Sequence, residues 1–215
     1  YDKIISHDSP ENLKKIFSNK IFSKVHFLEF PIYSQKLKSR KKNNFFSVGF
    51  FGIISPNKNI SFLPSIIDYI QTIYDFQINL KIVGKPTYDV SNVIKKIKKF
   101  ENVHLLIIND LISDKEFNSN LFSCDLILMP YINCSGSALL SQAISMKIPV
   151  ICSDLSYFKG FENRTNFVHT STFEFEDFKN KFEIVLKKFN DNDFEVNESK
   201  SISTMSFYCK QILKI

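Results

Sequence analysis

From Phe45 onward, short runs of continuously apolar residues alternate with longer segments whose apolar positions recur every three to four residues. The first kind reads as a buried strand, the second as a helix with one apolar face. The runs predict strands over 45–52, 78–85, 103–109, 124–131 and 149–154, with a sixth beginning at Phe167. The periodic segments predict helices near 60–74, 88–100, 114–122, 137–146 and 173–189. Strands that are apolar at every position need cover on both faces, and strands separated by helices run parallel. The fold class expected is therefore α/β, a doubly wound, Rossmann-like parallel sheet over residues 45–190.

The pattern before Phe45 is different. A strand over 2–6 leads to a helix opening at Ser9, Pro10 and Glu11, where serine can cap, proline fits the first turn and the carboxylate faces the positive end of the helix dipole. A second strand over 25–30 follows, and then a polar, basic stretch that reads as a linker over 32–44. Because Tyr1 falls straight into a strand, residues 1–31 read as the end of a preceding domain, and the chain as part of a longer protein whose amino-terminal domain is missing. Apolar residues at helical spacing predict a terminal helix within 191–215.

Composition supports a packed, enzyme-like domain: 44% hydrophobic and 23% charged residues exclude the disordered and fibrous classes. The use of 23 phenylalanines, no tryptophan and only two arginines, Arg40 and Arg164, points to an AT-rich, bacterial genome. A net charge of +6 is concentrated in Lys36, Lys38, Arg40, Lys41 and Lys42. No aromatic residues interleave that run, so it reads as a solvated linker, and nucleic acid is not an expected partner. Cys124, Cys134, Cys152 and Cys209 have no metal-ligand spacing and read as reduced thiols. The four histidines read as structural or surface residues, and no metal site is expected. No run of 18 apolar residues and no signal peptide occurs, which leads to the expectation of a cytoplasmic protein, with peripheral contact at the inner face of the membrane as an extension of it.

Ligands of an open parallel sheet bind beyond the carboxyl ends of its strands, where the strand order reverses. Of only five glycines, Gly52, Gly84 and Gly136 fall at or just after such ends. Glycine there lets backbone amides approach a phosphate closely. Lys58 and Lys85 follow the first two of these glycines and are placed to neutralise a diphosphate. In the segment 125–154 a buried strand runs into the small-residue loop Ser135, Gly136 and Ser137 and then a helix, an arrangement that offers amides, hydroxyls and a positive dipole end to an anion. No Ser-His-Asp order, Walker loop or dinucleotide fingerprint is present, so hydrolase, NTPase and nicotinamide functions are set aside.

With Met129-Pro130-Tyr131, the glycine loop and Pro149-Val150-Ile151 in this order, the segment resembles the donor-binding signature of the large retaining glycosyltransferase family of GT-B architecture, family 4. The FFG loop with Lys58, the IVGKP run with Lys85 and the opening strand-helix-strand unit are similar to that family in order and spacing. The resemblance implies transfer of a sugar, with anomeric retention, from a nucleotide diphosphate sugar to a saccharide or lipid-linked acceptor, without a metal or other cofactor. In this view Lys58 and Lys85 stabilise the departing diphosphate, the Ser135–Ser137 loop holds the phosphates or sugar, Gln142 the ribose, and the backbone near Leu111 and Ile112 the base. Where the family carries two glutamates eight positions apart, this chain has Cys134 and Gln142, and an arginine of the first loop is absent. A non-catalytic, transferase-like partner subunit is the alternative that these departures raise.

Overall fold

The computed structural model describes residues 3–6, 13–15, 17–28, 45–74 and 77–191. The expected helix start at Ser9, the linker and the terminal helix beyond Asp191 lie outside them. Near the amino end, β1 (Ile4–Ser6) and β2 (Val25–Phe27) pair in parallel on either side of the helical turn α1 (Asn19–Phe22).

The main unit is a six-stranded, wholly parallel sheet of β3 (Phe46–Phe51), β4 (Ile78–Val83), β5 (Val103–Ile108), β6 (Leu126–Met129), β7 (Val150–Ser153) and β8 (Val168–Ser171). Its order is β5-β4-β3-β6-β7-β8, so the chain first works outward in one direction and then restarts in the other. The doubly wound expectation holds, and the reversal lies between β3 and β6. The register there is short, Val48 to Leu126 and Gly49 to Ile127, whereas β3 and β4 pair over six residues.

Two cores flank the sheet, and strand alternation divides the side chains between them. Phe46, Val48 and Phe50 of β3, with Ile78, Leu80 and Ile82 of β4, face one core together with α2 (Leu63–Ile73) and α7 (Phe175–Asp191). Both helices present apolar stripes: Leu63, Ile66, Ile67 and Ile70 on α2, and Phe178, Phe182 and Val185 on α7. Phe178 and Phe182 stack with ring centroids 5.8 Å apart, and Phe46 meets Phe182 edge-on at 5.5 Å. Phe51, Ile127, Met129, Val150 and Cys152 face the other core, covered by α4 (Asp114–Phe122), α5 (Ala138–Ser145) and α6 (Ser156–Glu162). Helix α3 (Ser91–Ile97) follows β4.

Helix α6 has no counterpart in the sequence-based expectation. Leu155 stands at its cap position without a side-chain cap, and Gly160 lies inside it, so local signals are weak. Burial of Phe158 and Phe161 in the second core stabilises it instead. The predicted helices over 60–74 and 88–100 are shorter than expected. The first is preceded by 3-10 turns at Pro56–Lys58 and Ile60–Phe62, and the second is trimmed to Ser91–Ile97.

At the centre of β3, Gly49 leaves its place to the Phe51 ring, Cys124 Sγ and Ile127 Cδ1, all of which a Cβ would overlap. We expect Gly49→Ala to cost about 1–3 kcal/mol through overpacking. A urea-unfolding midpoint unchanged from the parent would show that this core yields more readily than its packing indicates.

Candidate functional site

The carboxyl ends of β3, β4 and β6 meet at the reversal of strand order. Gly52 follows β3 with φ +90° and Gly84 follows β4 with φ +148°, conformations that side chains resist. A Cβ on Gly84 would overlap the Gly52 carbonyl, so the two loop backbones touch. Backbone bonds continue the contact: Gly52 N–H donates to Val83 O at 2.9 Å, Ile54 N–H to Lys85 O at 2.9 Å and Thr87 N–H to Ile54 O at 3.0 Å.

Into the space that Gly52 leaves empty comes the side chain of Lys58, from the 3-10 turn Pro56–Lys58. Its Nζ donates to Phe51 O at 2.6 Å and lies 5.3 Å from the centroid of the Tyr131 ring. Neither partner carries a formal charge. Burial pulls the Lys58 ammonium down to about 8, opposed in part by nearby Cys134. Because the value stays above 7, the group is mostly charged at neutral pH despite its desolvation.

The same turn is fastened to the loop after β6. Asn57 accepts from Asn133 N at 2.9 Å through Oδ1, donates to Asn133 O at 3.0 Å through Nδ2, and accepts from Ile132 N at 2.8 Å through its carbonyl. Further along, Cys134 Sγ donates to Gly136 O at 3.6 Å. Ser137 caps α5, its hydroxyl oxygen accepting from Leu140 N at 3.1 Å, while its own N–H donates to Tyr157 Oη at 3.0 Å. Tyr157 thus ties α6 to the amino end of α5.

Gly52, Gly84 and Lys58 are in direct contact, and Asn57, Tyr131 and Cys134 connect them to the loop of Ser135, Gly136 and Ser137. Lys85 and Leu111 are exposed, Leu111 at 79%, and their side chains enter none of these contacts. Ile112 packs against the second core, and Gln142 is half-buried on α5. Asn57, the Phe51 carbonyl, Tyr131 and Tyr157 were not among the expected site residues. Asn57 lies in a Ser-Pro-Asn turn that a sequence can flag, whereas Tyr157 rides on the unforeseen α6.

No family model matches the sequence, and no curated protein matches it. Solved structures do. TarM of S. aureus, in complex with fondaparinux, alpha-GlcNAc-glycerol and UDP, superposes with a TM-score of 0.71 at 14% identity, covering 99% of this chain and 43% of that one. A glycosyltransferase of Rickettsia africae gives 0.70 at 14% identity, with 99% and 62% coverage. The pneumococcal O-GlcNAc transferase GtfA, in complex with UDP and GlcNAc, gives 0.63 at 11% identity, with 99% and 44% coverage. The fold is that of a GT-B carboxyl-terminal domain. The chain spans less than two thirds of each of these three proteins. The loops joined by Gly52, Gly84 and Lys58 stand on the sheet edge beyond the strands' carboxyl ends. Among the described residues, no helix is long and apolar enough to cross a membrane, and no cluster of three or more metal-ligating side chains occurs.

The two glycines predict different responses. In Gly52→Ala the new methyl meets the end of a flexible lysine, so the variant loses about 1–3 kcal/mol to its strained backbone and displaces the ammonium. In Gly84→Ala the methyl meets backbone, and the loss exceeds that of Gly52→Ala. Chemical denaturation of both variants measures the order, and a reversed order would contradict the packing described.

Proposed function

We propose that this chain is the donor-binding domain of a glycosyltransferase that moves a sugar, with anomeric retention, from a uridine diphosphate sugar to a saccharide or lipid-linked acceptor. The observation that carries the reading is Lys58, a desolvated cation at the reversal of strand order whose partners, a carbonyl and an aromatic face, leave its charge unmatched. An arriving diphosphate supplies the missing charge. Negative charge grows on the leaving diphosphate in the transition state, so a preplaced ammonium stabilises that state more than the ground state. The choice of uridine follows the UDP bound in TarM and GtfA.

The remaining expected residues have roles consistent with this. Gly52 gives its space to the Lys58 side chain and Gly84 lets the two loops touch, and together they set where the ammonium stands. Ser135 and Gly136 contribute amides, and Ser137, whose N–H is engaged by Tyr157, contributes by capping and orienting α5. The exposed Lys85 side chain reaches the diphosphate as a second cation from the rim, while Gln142 hydrogen-bonds the donor's ribose. The acceptor is bound by the other half of a two-domain protein, so the reaction takes place between the halves. No metal is invoked, since lysine and amides supply the neutralisation.

Titration calorimetry with UDP, GDP, ADP and uridine tests the reading. Lys58→Ala weakens UDP by roughly tenfold or more, the worth of a charge-assisted hydrogen bond, and changes uridine little. Equal weakening of both would mean that Lys58 acts through folding. Nucleotide binding by the full-length protein with no sugar transfer to any acceptor would favour the non-catalytic partner instead.

A pH dependence follows from the same lysine. Its pKa of about 8 lies below the ordinary 10.5, and the diphosphate selects the protonated form. Above about pH 6.5, where the diphosphate is fully ionised, UDP affinity is level up to pH ~8 and then falls by about tenfold per unit, with proton uptake on binding, until the raised pKa of the complex is reached. Lys58→Ala removes this slope, and a wild-type affinity that is level to pH 10 would refute the assignment.

A further inference from the structure

A hollow of about 540 Å³ lies between helix α3 and the carboxyl ends of β4 and β5, and of the residues described above at the strand ends only Ile54 lines it. Its floor is aliphatic: Ile54 and Ile82 are fully buried, and Val90, Ile94 and Ile107 are half-buried beside them. The volume is that of a small-molecule site, and an apolar guest would take the remaining aliphatic surface out of water. A guest with polar edges would leave them unpaired against this floor.

Helix α3 forms one wall. Ser91, Ile94, Lys95 and Lys98 line the hollow, and their spacing puts all four on one side of the helix. At 1.5 Å per residue the row is about 10 Å long, and it runs from the carboxyl ends of the strands toward their amino ends. Lys98 therefore stands at the far end of the hollow from Pro86 and Tyr88, which follow β4. Both lining lysines are exposed, and among the described residues neither ammonium has an ion-pair or hydrogen-bond partner. Lys96 and Lys99 are exposed on the same end of the helix and add to the positive potential there. The one carboxylate of the lining, Asp89, lies at the opposite end and is engaged: the Ser91 N–H donates to its Oδ1 at 2.8 Å, and hydrogen bonding to Ser91 holds the carboxyl below its usual range.

The arrangement is apolar along its length and cationic at one end, and the matching guest is apolar along its length and anionic at one end. We propose that this hollow takes a single-chain anionic amphiphile, an unbranched alkyl chain laid over Ile82, Ile94 and Ile107 with a phosphate or carboxylate head on Lys95 and Lys98. The tail end of such a guest reaches Ile54, which bridges to Pro86 and lies in the same loop as Gly52 and Lys58. The site shares that wall with the donor edge but none of its charged groups, so it stands whether or not the chain binds a nucleotide.

The test titrates the 215-residue chain with hexyl, octyl and decyl phosphate below their micelle-forming concentrations, beside decanol, inorganic phosphate and phosphatidylglycerol vesicles, with isoleucine-methyl NMR to locate the guest. Affinity rises about fourfold for each added methylene, as burial of the chain requires. Decyl phosphate shifts the methyls of Ile82, Ile94 and Ile107. The double variant Lys95→Glu, Lys98→Glu changes only exposed side chains; it weakens decyl phosphate by about tenfold and leaves decanol unchanged. Ile94→Phe fills the hollow and weakens both, with its unfolding midpoint in urea as the check that the fold persists. Equal affinity for hexyl and decyl phosphate, or for decyl and inorganic phosphate, would overturn the proposal, as would methyl shifts confined to residues outside the hollow or indifference to the lysine pair. Capture by the vesicles with no binding of monomeric decyl phosphate would also overturn it, since the lysines would then serve a lipid surface and leave the hollow without a guest.

Discussion

The tightest constraint in this molecule is the contact of one backbone with another where Gly84 meets the Gly52 carbonyl. Strands β3 and β4 run in register for six residues, and their loops then leave the sheet without room for a side chain between them. Everything on the sheet edge follows from that closeness. Ile54 can bond to Lys85, Thr87 can bond back to Ile54, and Lys58 can fold over the hydrogen of Gly52 to reach the Phe51 carbonyl. A single methyl at either glycine would separate these parts.

Two buried bases show how burial sorts charges. His169, enclosed on β8 near Lys181 and Lys188, is driven by burial to about 4 and is neutral throughout the physiological range. Lys58 is also desolvated, but it starts from a much higher intrinsic value and stops at about 8. The same kind of penalty therefore discharges the imidazole and leaves the ammonium charged. A fold that retains an unmatched cation holds it at a cost in stability, which a bound anion relieves.

Much of this was legible in the sequence. Continuous apolar runs gave all six strands of the main sheet, and the glycines after β3 and β4, with the lysine at position 58, marked the edge where the loops converge. What escaped depends on tertiary contact. Helix α6 has no cap and an internal glycine, and only the burial of Phe158 and Phe161 makes it a helix, so the tie from Tyr157 to Ser137 could not be foreseen. Asn57 reads locally as a turn residue, and its bonds to Asn133 span 76 positions of sequence. Lys81 reads as a polar interruption of a strand. In the fold it is 9% exposed and donates to Ser123 Oγ at 2.5 Å, at the carboxyl end of α4, where a cation suits the helix dipole.

The short register between β3 and β6 bears on how the chain folds. Three strands on each side are joined by crossovers of ordinary length, so β3 to β5 and β6 to β8 can each gather around local contacts. Across their seam lie two register pairs, the bonds between Ser47 and Asp125 that are 78 positions apart, the Asn57 clasp, and the packing of α7 over β3, where Phe182 meets Phe46. These contacts join residues far apart in the sequence, and such contacts slow folding more than those within either half. Because Lys58 sits on one half and Tyr131 on the other, the charged pocket is whole only where the two halves meet, and a ligand held there would stabilise that meeting by mass action.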